Sequence, residues 1–371
     1  MISFATWGNE LYSGKRSYAI VPHRKRWLMA GCVLIVLSIV LLIYPGLQKS
    51  IEFKGGTEFT VSQVAGADQA PAREVVRSMD QLNNASVTSL GQSSVRVQAE
   101  TMSTKDARSV SAALAKAYKV DPGDVASTGI GPSWGSDVTE KAALSLAVFF
   151  VLVGLMLAAY FKTITMAAAA LFALCHDVLL TAAVFALTRV EVSPATVIGV
   201  LTILAFSLYD TVVVFDKVRE LTQDYESQSR STYAELVNLA INQTMVRSIN
   251  TSVVALLPIG AILFVSTIIL GGGTLRDISM ALFVGTIVGT WSSIFIASPA
   301  LVVMRQRNKK IAAHTRQVLQ RRAGVSNRAL KDGTASQSDI TDQPESVAHP
   351  LSAGHHKGRA AQPTRKPRSK R

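Results

Sequence analysis

Residues 142–161 read AALSLAVFFVLVGLMLAAYF and residues 164–187 read ITMAAAALFALCHDVLLTAAVFAL, with only Lys162 and Thr163 between them. A helix rises about 1.5 Å per residue, so about 20 apolar residues cross a hydrocarbon core. Both stretches reach that length, and a two-residue link allows only a tight helical hairpin. Four more apolar runs follow the same pattern, at Trp27–Tyr44, Ala195–Phe215, Ile249–Leu270 and Asp277–Met304. The composition agrees: 49% of residues are hydrophobic and 17% charged, where a soluble domain carries about a quarter. Arg24-Lys25-Arg26 precedes the first run as it would a signal peptide. The run is too long for a signal core and Gly46-Leu47-Gln48 lacks the small-residue cleavage pattern, so it reads as a retained anchor.

Charge orients the spans. The chain carries a formal net charge of +13, concentrated in 305–371, with 16 Lys and Arg against 4 Asp and Glu, and in 1–26, with 5 against 1. The long segment 45–140 has 9 basic residues against 11 acidic. Basic flanks stay on the cytoplasmic side, so both termini are expected inside, which requires an even number of spans. Six satisfies it.

The expected fold is therefore a polytopic α-helical membrane protein with six transmembrane helices. A basic cytoplasmic N-terminus, 1–26, leads into the first helix, 27–44. An extracytoplasmic α+β domain, 45–140, separates helices 1 and 2. A five-helix bundle, 142–304, contains a cytoplasmic loop at 216–248. A basic, largely disordered cytoplasmic tail fills 305–371. Within 45–140 the apolar periods predict a strand at Phe53–Val64, a helix at Pro71–Asn84 and strands at Ser86–Leu90 and Val95–Gln98. A second helix over Lys105–Ala117, with Thr104 as N-cap, and a strand at Asp124–Ile130 complete it. That order, β-α-β-β-α-β, is the ferredoxin-like split arrangement.

This segment contains neither Cys nor His, so it offers no disulfide, no histidine zinc ligand and no histidine base. No nucleophile motif accompanies it, which argues against an enzyme. In the cytoplasmic loop, Thr232 and Glu235 have capping-box spacing ahead of Leu236, Val237, Leu239 and Ile241. They predict a helix along the membrane surface or a plain helical linker. The cluster Arg365–Arg371 fits anionic lipid or ribosomal RNA, or serves only topology and solubility. No nucleic-acid-binding fold accompanies it.

Ionisable residues inside spans are costly and mark function. Asp177 in the third run and Asp210 in the fourth stand out, with His176 the one histidine inside a span. Asp210 lies roughly 8 Å from the cytoplasmic end of its helix and Asp177 roughly 20 Å into its own. Desolvation disfavours the anion, so such a carboxyl can gain and lose a proton, and Arg247 at matching depth completes a two-state switch. The competing reading is a structural pair, His176–Asp177 knitting helices together without titrating. Pro258 permits bending and Gly285 with Gly289 allows close helix approach. These read as packing features.

Ordered motifs then carry a resemblance. Ile51-Glu52-Phe53-Lys54-Gly55-Gly56-Thr57 after the first span resembles the glycine-bearing segment of the SecD/SecF family of export membrane proteins, in the resistance–nodulation–division superfamily. His176-Asp177-Val178 looks like the SecF-branch motif of the third span. Tyr209-Asp210-Thr211 followed by Phe215-Asp216-Lys217-Val218-Arg219-Glu220 is similar to its span-four signature. Arg247-Ser248-Ile249-Asn250-Thr251-Ser252 looks like the run that opens span five, with Lys217 and Ser248 departing mildly from the usual residues.

The resemblance covers about residues 25–305. It implies a subunit without cofactor or metal that pairs with SecD, associates with the SecYEG channel and acts on unfolded preprotein, among membrane lipids and without a nucleic-acid role. The proton-motive force would drive translocation, with Asp210 and Arg247 on the proton pathway. Rival readings are one half of a resistance–nodulation–division pump, or a membrane-anchored binding protein whose Asp210 is silent.

Overall fold

The computed structural model describes residues 4–331 except Ser229 and Gly271. The predicted disordered tail beyond 331, with its basic cluster, lies outside the described residues. The elements run α1 (Phe4–Tyr12), α2 (Arg24–Ile43), β1 (Gln48–Lys49), α3 (Ile51–Lys54), β2 (Gly56–Val61), α4 (Ala70–Ser78), β3 (Ser86–Leu90), β4 (Ser94–Ala99), α5 (Thr104–Tyr118) and β5 (Val125–Ile130). They continue with α6 (Pro132–Phe161), α7 (Ile164–Thr188), β6 (Glu191–Val192), α8 (Pro194–Thr222), α9 (Tyr233–Phe264), α10 (Thr274–Ser292), α11 (Ser298–Gln306) and α12 (Lys309–Lys331). Six helices are long and apolar enough to cross a membrane: α2, α6, α7, α8, α9 extended to Ile269, and α10 continued through α11 to Gln306. The chain forms two compact units, one comprising Leu28–Val212 and Ile249–Ala297, the other the rest of the described residues.

In the first unit a four-stranded antiparallel sheet has the order β3-β4-β2-β5. Helices α4 and α5 join its strands, and the alternating inward residues make its core. Phe59, Val61, Val95, Val97, Val110 and Leu114 are fully buried there. Each contributes about 1.5–3 kcal/mol by leaving water.

Several predicted boundaries move, each for a local reason. Phe53 begins no strand; it lies in α3, which Gly55 ends with φ 77° and an N–H donated to the Ile51 carbonyl at 2.8 Å. A Cβ on Gly55 would sit 2.8 Å from the Pro132 Cα, and one on Gly56 2.7 Å from the Ala99 carbonyl. The glycine pair therefore lets α3 press against the start of α6. Gly135 of α6 approaches as closely, 2.9 Å from the Phe53 carbonyl. Helix α6 begins at Pro132, about ten residues before the predicted Ala142, because Pro suits the first helical turn. The cap of α5 is Ser103, whose Oγ accepts from the Asp106 N–H at 3.2 Å, instead of Thr104. The predicted helix to Asn84 stops at Ser78, followed by an extended Met79 and a short turn at Asp80–Leu82.

In the second unit the capping box forms reciprocally. The Thr232 N–H donates to Glu235 Oε2 at 2.8 Å and the Glu235 N–H to Thr232 Oγ1 at 3.3 Å. The helix it starts is the beginning of α9, which runs unbroken into the fifth candidate span, so the separate surface helix is not formed. Asn238 and Asn242 on α9 hold the N-terminal segment: Val21 N–H donates to Asn238 Oδ1 at 3.0 Å and Tyr18 N–H to Asn242 Oδ1 at 2.7 Å. Residues 309–331, within the segment 305–371 expected to be largely disordered, form α12. Its Ile311 and Val318 are buried, and Arg322 donates to both oxygens of Glu235 at 2.7 and 2.8 Å. Thr232→Ala removes half of the capping box, and thermal unfolding should show a loss of about 1 kcal/mol.

Candidate functional site

Helix α8 carries the site. Its partner α10 runs parallel to it, held close by residues that lack bulk. A Cβ on Gly199 would lie 2.9 Å from the Ala281 Cβ, one on Gly285 2.6 Å from Ile203 Cγ2, and one on Gly289 2.8 Å from Ser207 Oγ. Three successive turns of α8 thus face three successive turns of α10 with no room for a larger residue. In lipid, where apolar burial between helices gains little, close approach of small residues is what drives such packing.

This register brings carboxyls against hydroxyls. Ser193, at the start of α8, donates to Asp277 Oδ2 at 2.8 Å. Ser207 donates across to Asp177 Oδ2 on α7 at 2.6 Å. One turn further along α8, Asp210 Oδ2 accepts a hydrogen bond from Ser293. Ser293 opens a π-helical segment, Ser293–Ala297, between α10 and α11. Such wide turns are rare and frequently lie at functional sites, and here one presents a hydroxyl to the acid. All three carboxyls are buried.

The second oxygen of Asp177 lies 3.2 Å from His176 Nδ1. The His176 ring stacks at a tilt on Trp291, 5.7 Å between centroids, and its Nε2 is buried without a hydrogen-bond partner among the described residues. A hydroxyl can donate to a carboxylate or rotate to accept from a carboxylic acid, so each acid–serine pair tolerates either protonation state.

Among the other expected residues, Arg247 and Asn250 are exposed positions of α9, with Thr251 half-buried beside them, and Asp216 is exposed on α8. Gly55, Gly56 and buried Thr57 belong to the α3–β2 corner and serve its packing. Asp277 escaped sequence reasoning. It begins an apolar run next to Arg276, which mimics an interfacial anchor, and only the fold shows that Ser193 binds it.

Near Asp277 the β-domain contributes more charge. Arg96 pairs with Glu58 at 3.2 Å and with Glu191 at 3.5 Å, and Gln98 donates to both carboxylates at 3.1 Å. Burial pushes the Glu52 carboxyl above its ordinary value. A hydrogen bond from Ser50 opposes this, the negative charges of Asp277 and Glu58 add to it, and Arg96 offsets part. Because the folded state holds the proton more tightly, Glu52 costs stability once ionised. Glu52→Gln should therefore stabilise the full chain at neutral pH, by less than about 1 kcal/mol since water screens a half-buried carboxyl. That gain should vanish as pH falls below the ordinary carboxylate range, which thermal unfolding across pH measures.

Comparison with known proteins bears on this geometry. The family described as "Protein export membrane protein SecD/SecF, C-terminal" matches residues 110–307. The chain is 39% identical over 369 residues to "Protein translocase subunit SecF" of Streptomyces coelicolor, covering 97% of this chain and 98% of that protein. It is 38% identical over 361 residues to the protein of the same name from Mycobacterium leprae, covering 93% and 76%. Its structure resembles the crystal structure of SecDF, a translocon-associated membrane protein from Thermus thermophilus, with a TM-score of 0.69 and 31% identity. That match covers 80% of this chain and 39% of the SecDF chain, so the present chain spans about two fifths of that protein. Six apolar helices and these relatives make it a multi-pass protein of the bacterial membrane, and the chain belongs to the SecD/SecF family of protein export membrane proteins.

Proposed function

We propose that this chain is the SecF subunit of a Sec preprotein translocase, pairing with SecD beside the SecYEG channel and coupling the proton-motive force to preprotein movement. SecF-named relatives matched along nearly their whole length support the assignment, and a SecDF protein containing a similar chain supports the partnership. The observation that carries the mechanism is the Asp210–Ser293 pair, a buried acid meeting a hydroxyl at a π-helical turn. Proton handling is assigned to Asp210, with Arg247 as its charge partner during the cycle and Asp177–His176 as a second station joined through Ser207.

In this reading the sheet with its two helices is a ferredoxin-like domain of the outer face, supported by the β3-β4-β2-β5 order and the alternation of strands and helices. Both termini lie in the cytoplasm, as their basic flanks require. The protein works as a coupling subunit with no catalytic residue of its own. Membrane vesicles containing or lacking the chain test the proposal. A proton gradient should accelerate preprotein import only where the chain is present, and equal acceleration in both would overturn it.

A further inference from the structure

We infer that a groove between α6, α7 and α8 binds one phospholipid, an acyl segment lying in the groove and the phosphate meeting Arg189. The groove has a volume of about 240 Å³ and is walled by Leu146 of α6, Val178, Ala182 and Phe185 of α7, and Val200 and Leu201 of α8. Its one hydroxyl, on Thr196, is bonded to the Ser193 N–H at 3.1 Å and to Ser193 Oγ at 3.3 Å, so a water molecule entering would lack the two to four polar partners it needs. The walls belong to helices long and apolar enough to span a membrane, and an open apolar groove there admits hydrocarbon.

The end of α7, which walls the groove, supplies the charge. Val178, Ala182, Phe185 and Arg189 follow one another at four, three and four residues, a single stripe down α7. Arg189 ends the stripe, capping α7 in the left-handed conformation with φ 57°. Its guanidinium is exposed; it donates to the Pro45 carbonyl at 3.2 Å and to the Gln48 side-chain oxygen, and a fork of five N–H donors keeps others for a ligand. The neighbouring carboxylate, Glu191, is engaged by Arg96 and Gln98. A planar cation over an apolar slot suits a phosphodiester carrying hydrocarbon chains.

Native mass spectrometry of the full chain in mild detergent, offered equal phosphatidylglycerol and phosphatidylethanolamine, tests the site. Wild type should retain one more phospholipid than Ala182→Trp, whose indole fills the groove. Val178→Phe gives the same comparison should the tryptophan prevent folding. Arg189→Gln should weaken retention about fivefold, the effect of one interfacial cation. Diacylglycerol, with the same chains and no phosphate, should bind wild type as weakly as phospholipid binds that variant. Equal lipid counts in wild type and both filled variants would overturn the groove, and equal retention of diacylglycerol and phospholipid would overturn the role of Arg189. A photoreactive residue at Leu146 that couples in vesicles to a protein instead of lipid would overturn the assignment of the occupant.

Discussion

Asp210→Asn should reduce preprotein import in energised vesicles to the rate seen without a proton gradient, while the protein still folds and still co-purifies with its partner. The asparagine carbonyl can accept the Ser293 hydrogen bond that Asp210 Oδ2 accepts now, so the α8–α10 contact survives. What the variant cannot do is bind and release a proton. Asp210→Glu keeps the titration but displaces the carboxyl by a methylene from its place against Ser293, and should leave a reduced, still gradient-dependent rate. A full difference between energised and de-energised Asp210→Asn vesicles would show that the acid is a packing element and that the proton passes elsewhere.

The largest structural effect is expected at Gly285. Its Cβ position lies 2.6 and 2.8 Å from carbons of Ile203, so Gly285→Leu must force α8 and α10 apart along their whole contact. Overfilling a packed interior costs about 1–3 kcal/mol, and the loss of adjacent close contacts adds to it. Thermal unfolding in detergent should show a marked drop for Gly285→Leu. Gly289→Ala should be milder in stability and sharper in function. Its added methyl lies 2.8 Å from Ser207, the residue that binds Asp177. A Gly285→Leu protein as stable as wild type would mean that the two helices do not pack through this row.

How far the sequence reached depends on the range of the interaction. Span count follows from length and hydropathy, which are local, and six runs became six candidate helices with ends displaced by a few residues or by a turn or more. The sheet strands were equally legible: Ser86–Leu90 matches as read, because alternation across a short hairpin is a local signal. The first strand was misread at Phe53 because Ile51–Lys54 is too short to declare a helical period. The helix α12 was missed because its many Arg and Lys residues look like a solvated tail. Its order comes from the burial of Ile311 and Val318 and from Arg322 pairing with Glu235, distant in sequence.

For the candidate site, the acids were visible and their partners were not. An aspartate in an apolar run announces itself by its solvation cost, so Asp177 and Asp210 needed no fold to be found. Serines are common in membrane helices and give no comparable signal. That Ser207, Ser293 and Ser193 are the ones bound to acids is fixed by the register of α8 against α7 and α10. Gly285 and Gly289 hinted at a close contact by their spacing, but Gly199 on the facing helix completes it only in space.

The sequence by itself determined that this chain has six runs long and apolar enough to cross a membrane, that Asp177 and Asp210 lie within them, and which family its motifs resemble. Each of these depends on the free energy of placing a side chain in hydrocarbon or on the local period of the backbone. Only the tertiary structure decided which hydroxyl faces which carboxyl, that Asp277 joins the buried acids, and that α7 lines an apolar groove with α6 and α8. Those depend on how helices pack, and packing is set by contacts between residues far apart in the chain.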